Sequence, residues 1–393
     1  MKTYNNLQVI EDEKYMRRAI KLALNGKGFA HPNPLVGAVI VKDGKIIGEG
    51  AHLKYGMLHA ERNAIKSATI PVEGATLYVT LEPCCHYGKT PPCTEAIIEN
   101  KIKRVVIGSR DPNPKVFGRG VKIMRDAGIE VVTDFLRTEC DSLNSIFFHY
   151  IKEHTPYVLM KYAMTIDGKI ATTSGKSKWI TNDSSRELVH EIRHEYMGIM
   201  VGIGTVLSDD PTLNCRSINI DEVRQPIRII CDSHLRIPME SKIVKTAYEY
   251  ETMVIISDKN LPFGDISTDI KEVDKSLKRD KILSLLNSNV RIVNIFAEVD
   301  DRIDLSLLMN YLGENKIDSI LLEGGGTLNE SALRAGIVNE VMAFIAPKVF
   351  GGFGKSPVMG DGVDDPDKAY RLRLKSIKNI DEDIVLNYIV DKR

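Results

Sequence analysis

The chain has 393 residues, 53 basic and 53 acidic side chains, six cysteines and an apolar share of 43%. That length suggests two or three domains, and the composition excludes a disordered chain. Zero net charge argues against binding nucleic acid by bulk attraction, although it leaves room for a local basic groove. No stretch approaches the roughly 18 apolar residues of a membrane span. Met1 to Lys14 is polar, without the apolar run of a secretory signal. The expectation is a cytoplasmic protein with reduced thiols and no membrane contact.

The first part alternates helix and strand. Apolar residues Tyr15, Ala19, Leu22 and Ala23 form a helical stripe over 12–25, with Gly26 as its expected C-cap. Leu35 to Val41 is a continuous apolar run, and Asp43-Gly44 is a hairpin signal with a return strand over 45–48. Helices are expected over 59–68, 93–100 and 121–127, and strands over 75–81, 104–108 and 129–132. A packed helical connector is expected over 137–154, from Leu143, Ile146, Phe147 and Tyr150. A second α/β unit begins near Thr155-Pro156. Its strands are expected over 157–164, 199–201, 227–231, 253–257, 290–296, 319–322, 340–346 and 384–390, with helices over 184–196 and 282–286. The division expected is 1–150 and 151–393, both α/β layer folds.

Cys84, Cys85 and Cys93 crowd together, while Cys140, Cys215 and Cys231 are scattered. In a reducing compartment such a cluster points to a metal rather than to disulfides. His59-Ala60-Glu61 precedes it, and the run Glu82-Pro83-Cys84-Cys85-His86-Tyr87-Gly88-Lys89-Thr90-Pro91-Pro92-Cys93 contains it. A catalytic zinc site uses three protein ligands and leaves one position for water. His59, Cys84 and Cys93 supply one nitrogen and two thiolates. Glu61, two residues after the histidine, is placed as a proton shuttle and not as a ligand. Both cysteines are expected at helix starts, which favour thiolate, and zinc would bring the pKa of its water towards about 7. His-x-Glu with a later Pro-Cys is a mark of zinc nucleobase deaminases, although their second cysteine follows after only two residues. The alternatives are a structural zinc knuckle or a metal-free thiol cluster, and Cys85 or His86 could replace Cys84 as ligand.

These segments resemble the deaminase half of the bifunctional riboflavin-biosynthesis deaminase–reductase family. His31-Pro32-Asn33-Pro34-Leu35-Val36-Gly37, Asp111-Pro112-Asn113-Pro114 and Gly118-Arg119-Gly120 add to the likeness. The long Cys84–Cys93 spacing separates this family from cytidine and tRNA-adenosine deaminases. The resemblance implies a cytidine-deaminase-like three-layer domain. It also implies that Asn33 contacts a pyrimidine and that His86, Lys89 and Thr90 lie near a substrate phosphate. The family usually has serine where this chain has Cys85, proline where it has Leu58, and a small hydroxyl residue where it has His31.

The second unit carries Lys161 to Gly168, Ser174 to Thr181, Val201-Gly202-Ile203-Gly204-Thr205, Asp209-Asp210-Pro211 and Leu322-Glu323-Gly324-Gly325-Gly326-Thr327. Strand, glycine turn and helix is a pyrophosphate-binding device. No Gly-x-Gly-x-x-Gly and no P-loop lysine is present, so neither usual nucleotide fingerprint applies. A tight turn is the simpler reading of the three glycines alone, and core packing would account for Trp179.

The set resembles the reductase half of the same family, with its dihydrofolate-reductase-like fold. The resemblance implies NADPH contacts at Ala163, Trp179, Thr205, Asp209, Gly325, Gly326 and Thr327. It implies substrate contacts at Ser177, Arg193, Leu213, Arg216 and Glu323. Arg193 and Arg216 have the fork geometry for a ribose phosphate, and Lys161 and Asp209 are candidate proton-handling groups. The expected protein is a homo-oligomeric enzyme with Zn2+ and NADPH. It would deaminate a phosphorylated diaminopyrimidine and then reduce its ribosyl chain, with no nucleic-acid partner.

Overall fold

A computed structural model describes residues 6–88, 90–114, 116–267, 278–297 and 301–391. It divides into two compact units, Met1–His154 and Thr155–Arg393.

The first unit holds a five-stranded sheet ordered β2-β1-β3-β4-β5, from β1 (Gly37–Lys42), β2 (Lys45–Ala51), β3 (Thr76–Leu81), β4 (Arg104–Ser109) and β5 (Glu130–Val132). β1 runs antiparallel to β2 and β3, while β3, β4 and β5 are parallel. The β1–β2 turn is Asp43-Gly44, with φ of 51° and 72°. Two left-handed residues match the twist of a hairpin, which explains the Asp-Gly pair. Helix Asn6–Ala23 covers one face, packing Tyr15, Met16 and Ala19 on Val39, Tyr78 and Val106. Helices Ala60–Lys66, Cys93–Glu99 and Arg119–Asp126 cover the other, placing Ala60, Ala64, Ile97 and Met124 on Ala38, Ile40, Leu77 and Ile107. The result is three layers, with the ligand-bearing helices on one side.

Two expectations change in detail. Gly26 closes a short 3-10 turn after the first helix instead of a left-handed cap, and Gly28 takes the positive φ. The expected connector is part of the first unit and forms two helices, Arg137–Leu143 and Ser145–Glu153. They break at Asn144, whose side chain accepts from Leu35 N at 2.8 Å and donates to Leu35 O at 3.0 Å.

The second unit holds a ten-stranded sheet ordered β10-β11-β9-β8-β7-β12-β6-β13-β15-β14. The strands are β6 (Tyr157–Thr165), β7 (Gly198–Gly202), β8 (Ile227–Cys231), β9 (Thr252–Ile256), β10 (Gly264–Asp265), β11 (Val290–Asn294), β12 (Ser319–Leu322), β13 (Glu340–Ala346), β14 (Leu372–Ile380) and β15 (Asp383–Val390). From β11 through β13 the neighbours are parallel; β10, β14 and β15 add antiparallel edges. Both faces of the parallel part are covered, which is why its strands read as unbroken apolar runs. Helices Leu305–Glu314 and Gly326–Arg334 pack Leu308, Leu312 and Leu333 on one face. Arg279–Asn287 packs Ile282 and Leu285 on the other. β14 escaped the sequence reading because it is almost wholly exposed and has no buried alternate face. Among the described residues no helix is long and apolar enough to cross a membrane.

Candidate active sites

In the first unit the chain brings His59, Cys84 and Cys93 together, with one donor atom from each lying within 4.8 Å of the others. His59 Nδ1 is 3.4 Å from each sulfur. His59 caps helix Ala60–Lys66, and Cys93 opens helix Cys93–Glu99 behind Pro92. Cys84 does not begin a helix as expected: it lies in the irregular segment after β3. It gains the same electrostatic help indirectly, because Cys93 N donates to Cys84 Sγ at 3.3 Å. The hydrogen bonds of Cys93 and His59 pull the Cys84 thiol down to about 4 against the opposing effect of burial. Cys93 moves in the other direction, because its proton is shared with Cys84 and it is buried. One nitrogen and two sulfurs in this arrangement fit a tetrahedral zinc site with an open position. Cys85 is outside the cluster, and burial raises its thiol above the usual range.

Glu61 sits in the first turn after His59 and is 3% exposed. Burial pushes its carboxyl upward, and the Cys84 charge adds to that. A raised carboxyl next to the metal donors is suited to taking and returning a proton. The helix that carries it lies directly on β2: a Cβ at Gly50 would meet Ala60 O at 2.3 Å and Ala64 N at 2.4 Å. Any side chain there would lift His59 and Glu61 off the sheet.

The sequence reading missed three residues that position this site. Arg62 donates to Pro91 O at 3.2 Å and to Pro92 O at 2.8 Å, tying the His59 helix to the turn before Cys93. Glu82 accepts from Gly118 N at 3.1 Å and Val121 N at 3.3 Å, anchoring the next helix beside the cysteine segment. His52 is 2% exposed, and its Nε2 lies 3.1 Å from Asn33 Nδ2. Arg62 and His52 stand in no motif, and although Glu82 and Gly118 do, nothing in residue type reveals that they pair. Thr90 is at the site, its Oγ1 3.5 Å from His59 Nε2, and Asn33 is linked to it through His52, whose ring centre lies 5.3 Å from that of His59. His86 is exposed, and Lys89 lies outside the described residues.

In the second unit a cavity of about 1270 Å³ opens at the C-terminal ends of β6, β7 and β12, where parallel sheets usually bind ligands. It gathers Lys161, Ala163, Ser177, Trp179, Arg193, Thr205, Asp209, Leu213, Arg216, Glu323 and Gly325 from the expected residues. Gly326 and Thr327 are not on its wall. Gly326 is buried, and a Cβ there would meet Ser356 O at 2.7 Å and Met359 Cγ at 2.6 Å, so chain packing accounts for this glycine. Thr327 is exposed on the first turn of helix Gly326–Arg334.

Glu323 is the electrostatic centre of the cavity. Lys161 Nζ donates to it at 3.0 Å, and Arg193 grips both its oxygens at 2.7 and 3.0 Å. Burial works against its charge, but the two cations outweigh that and hold the carboxyl well below the usual carboxylate range. The third Arg193 contact, to Asn214 O, is 3.0 Å. Three of the five Arg193 N–H groups are thereby engaged, and Arg216 in turn donates to Asn214 Oδ1. Asp209 Oδ1 is 3.5 Å from Ser177 Oγ. Trp179 is 62% exposed, so it is not a core residue, and the Arg186 guanidinium lies 4.5 Å from its ring centre.

A deaminase-type metal cluster on a three-layer fold and a polar cavity on a second parallel sheet define a two-site enzyme. Residues 9–109 match the cytidine and deoxycytidylate deaminase zinc-binding region, and residues 156–386 match the RibD C-terminal domain. The chain is 51% identical over 387 residues to riboflavin biosynthesis protein RibD of Actinobacillus pleuropneumoniae, covering 98% of this chain and 97% of that one. It is 36% identical to the Escherichia coli RibD over 390 residues, 97% of this chain and all of the other. A solved Acinetobacter baumannii RibD structure superposes with a TM-score of 0.83 at 35% identity, over 98% and 99% of the two chains. The chain belongs to the RibD family of riboflavin-biosynthesis proteins. It is a bifunctional enzyme with a zinc-dependent deaminase half and an NADPH-dependent reductase half.

Proposed function

We propose that the first unit deaminates 2,5-diamino-6-(5-phosphoribosylamino)pyrimidin-4-one and that the second reduces the ribosyl group of the product to ribityl phosphate. The observation that carries this reading is the His59–Cys84–Cys93 cluster with Glu61 buried beside it.

His59, Cys84 and Cys93 would hold zinc, which would supply a Lewis acid for the attacking water. Glu61 takes the proton of that water and passes it to the departing ammonia. Asn33 orients the pyrimidine with its carbonyl oxygen, since its amide nitrogen faces His52. His86, Lys89 and Thr90 take the phosphate end.

In the second unit NADPH would supply the hydride, and Ala163, Trp179, Thr205, Asp209 and Gly325 are the cavity residues that would hold it. Ser177, Arg193, Leu213, Arg216 and Glu323 hold the substrate, Arg193 also fixing Glu323. The ribosyl carbonyl must gain a proton as hydride arrives; Lys161 and Asp209 are the groups that handle it.

Glu61→Gln tests the assignment. Ammonia release should fall by about 10²–10⁴-fold, with zinc content and reduction of pre-deaminated substrate unchanged. Undiminished ammonia release contradicts it.

The same reading places the enzyme in the cytoplasm as a homo-oligomer. None of the six cysteines is in a disulfide, which suits a reducing compartment. The edge strand β14 exposes Leu372, Leu374 and Ile377 at 40%, 49% and 60%, an edge that suits pairing with a second copy.

A further inference from the structure

The segment 213–219 borders the reductase cavity without regular secondary structure. Gln225 pairs with both backbone groups of Cys215, at 2.8 and 2.9 Å, and several of the segment's other groups bond to one face of helix Asp183–Glu195. Glu187 Oε1 accepts from Ile218 N at 2.9 Å and also from the Ser217 hydroxyl. Cys215 Sγ donates to His190 O at 2.9 Å, and Arg216 N donates to His190 Nδ1 at 3.2 Å. Farther along the helix, His194 Nδ1 accepts from Arg224 N at 2.9 Å.

The Arg216 contact fixes the chemistry of His190. A ring nitrogen that accepts a backbone N–H carries no proton, so the neutral imidazole has its proton on Nε2. Among the described residues Nε2 has no protein partner. His190 lines the cavity half-buried, one turn before Arg193 and beside Arg216. Arg193 gives three of its five N–H groups to Glu323 and Asn214. Arg216 Nη1 donates to Asn214 Oδ1, and its remaining N–H groups stand with the His190 N–H on this stretch of the wall as donors for an anion. A neutral donor beside a cation suits a phosphate, because it adds a hydrogen bond without a second buried charge.

We propose that His190 is a substrate-binding residue of the reductase, its Nε2–H donating to the phosphate of the ribosyl chain beside Arg216. This rests on reading the cavity as the reductase site. The imidazole does two jobs from opposite sides of one ring: Nδ1 sets the Arg216 backbone, and Nε2–H meets the anion.

The test uses Trp179, the single tryptophan, as a probe in the cavity wall. Full-length wild type, His190→Asn and His190→Gln are titrated with ribose 5-phosphate and with ribose, following its emission. Asparagine keeps an acceptor for Arg216 N but lacks the distal N–H, whereas glutamine restores a distal N–H. Ribose 5-phosphate should bind about 10-fold more weakly to His190→Asn, with partial recovery in His190→Gln and no change for ribose. In the unmodified protein, the His190 imidazole nitrogen resonances should shift with ribose 5-phosphate and not with ribose, so unfolding of a variant would not remove the test. Wild-type-like binding of ribose 5-phosphate by His190→Asn overturns the proposal. So does equal weakening towards ribose, which would make His190 only an anchor of the segment. NADPH oxidation by wild type with pre-deaminated substrate is measured in parallel. Its absence would remove the reductase reading, while the titration still decides the phosphate site.

Discussion

His52 holds the amide of Asn33. Its Nε2 is 3.1 Å from Asn33 Nδ2, and its Nδ1 is 3.2 Å from Leu58 O, the residue before His59. The two contacts define one tautomer: Nδ1–H donates to the carbonyl, and Nε2 accepts from the amide. One buried ring thus orients Asn33 and ties it to the start of the metal-binding helix. Burial lowers the His52 pKa, which keeps the ring neutral and able to accept. His52→Phe should cut deaminase kcat/KM by about 10–100-fold, the effect of losing one to two hydrogen bonds to a positioned group. Reduction of pre-deaminated substrate should be unaffected. Separate steady-state assays of the two steps check this.

Zinc content separates the two adjacent cysteines. Cys84 is in the donor cluster and Cys85 is not. Cys85→Ser should retain one zinc per chain by elemental analysis, and Cys84→Ser should lose it. Chelation of the wild-type metal should stop ammonia release and leave NADPH oxidation of pre-deaminated substrate intact.

Removing the charge of Glu323 should cost more than one contact. Glu323→Gln leaves Lys161 and Arg193, 12% and 13% exposed, without their shared carboxylate. Breaking a buried ionic cluster of this kind costs on the order of 3 kcal/mol. Denaturant unfolding should show that loss in the second unit's transition, together with loss of NADPH oxidation. An unchanged transition would mean the three charges do not support the fold.

The first unit has its own buried pair. Asp12 is fully buried and accepts from Arg104 at 2.8 and 2.6 Å and from Tyr78 at 2.8 Å. Burial alone would raise its pKa, but Arg104, Tyr78 and Gln8 together lower it. A carboxyl lowered by folding contributes stability that is present above its unfolded value near 3.9 and is lost as pH falls through its folded value. Unfolding midpoints of the first unit measured across that acid range should therefore decline in wild type. Asp12→Asn should be less stable by about 3 kcal/mol near neutral pH and should show a flatter acid decline.

Local chemistry was legible in the sequence where neighbouring residues carry it. The Asp43-Gly44 hairpin follows from its left-handed turn residues, and the metal cluster follows from residue types at short spacing. The cavity's ion cluster was not legible, because Lys161, Arg193 and Glu323 are brought together by parallel strands and a helix up to 162 positions apart. The same holds for Arg62, which grips two carbonyls that leave no trace in residue type. Arg193 shows the limit from the other side: its residue type suggests a phosphate ligand, and only the folded chain reveals that three of its N–H groups go to Glu323 and Asn214. β14 failed for another reason, since an exposed edge strand needs no apolar alternation.

The most direct measurement is mass spectrometry of the products formed from the diaminopyrimidine phosphate by the purified enzyme, with and without NADPH. The account predicts exchange of one amino group for oxygen without NADPH, and the further gain of two hydrogens on the sugar chain with it. Unchanged substrate under both conditions, or reduction without prior deamination, would contradict it.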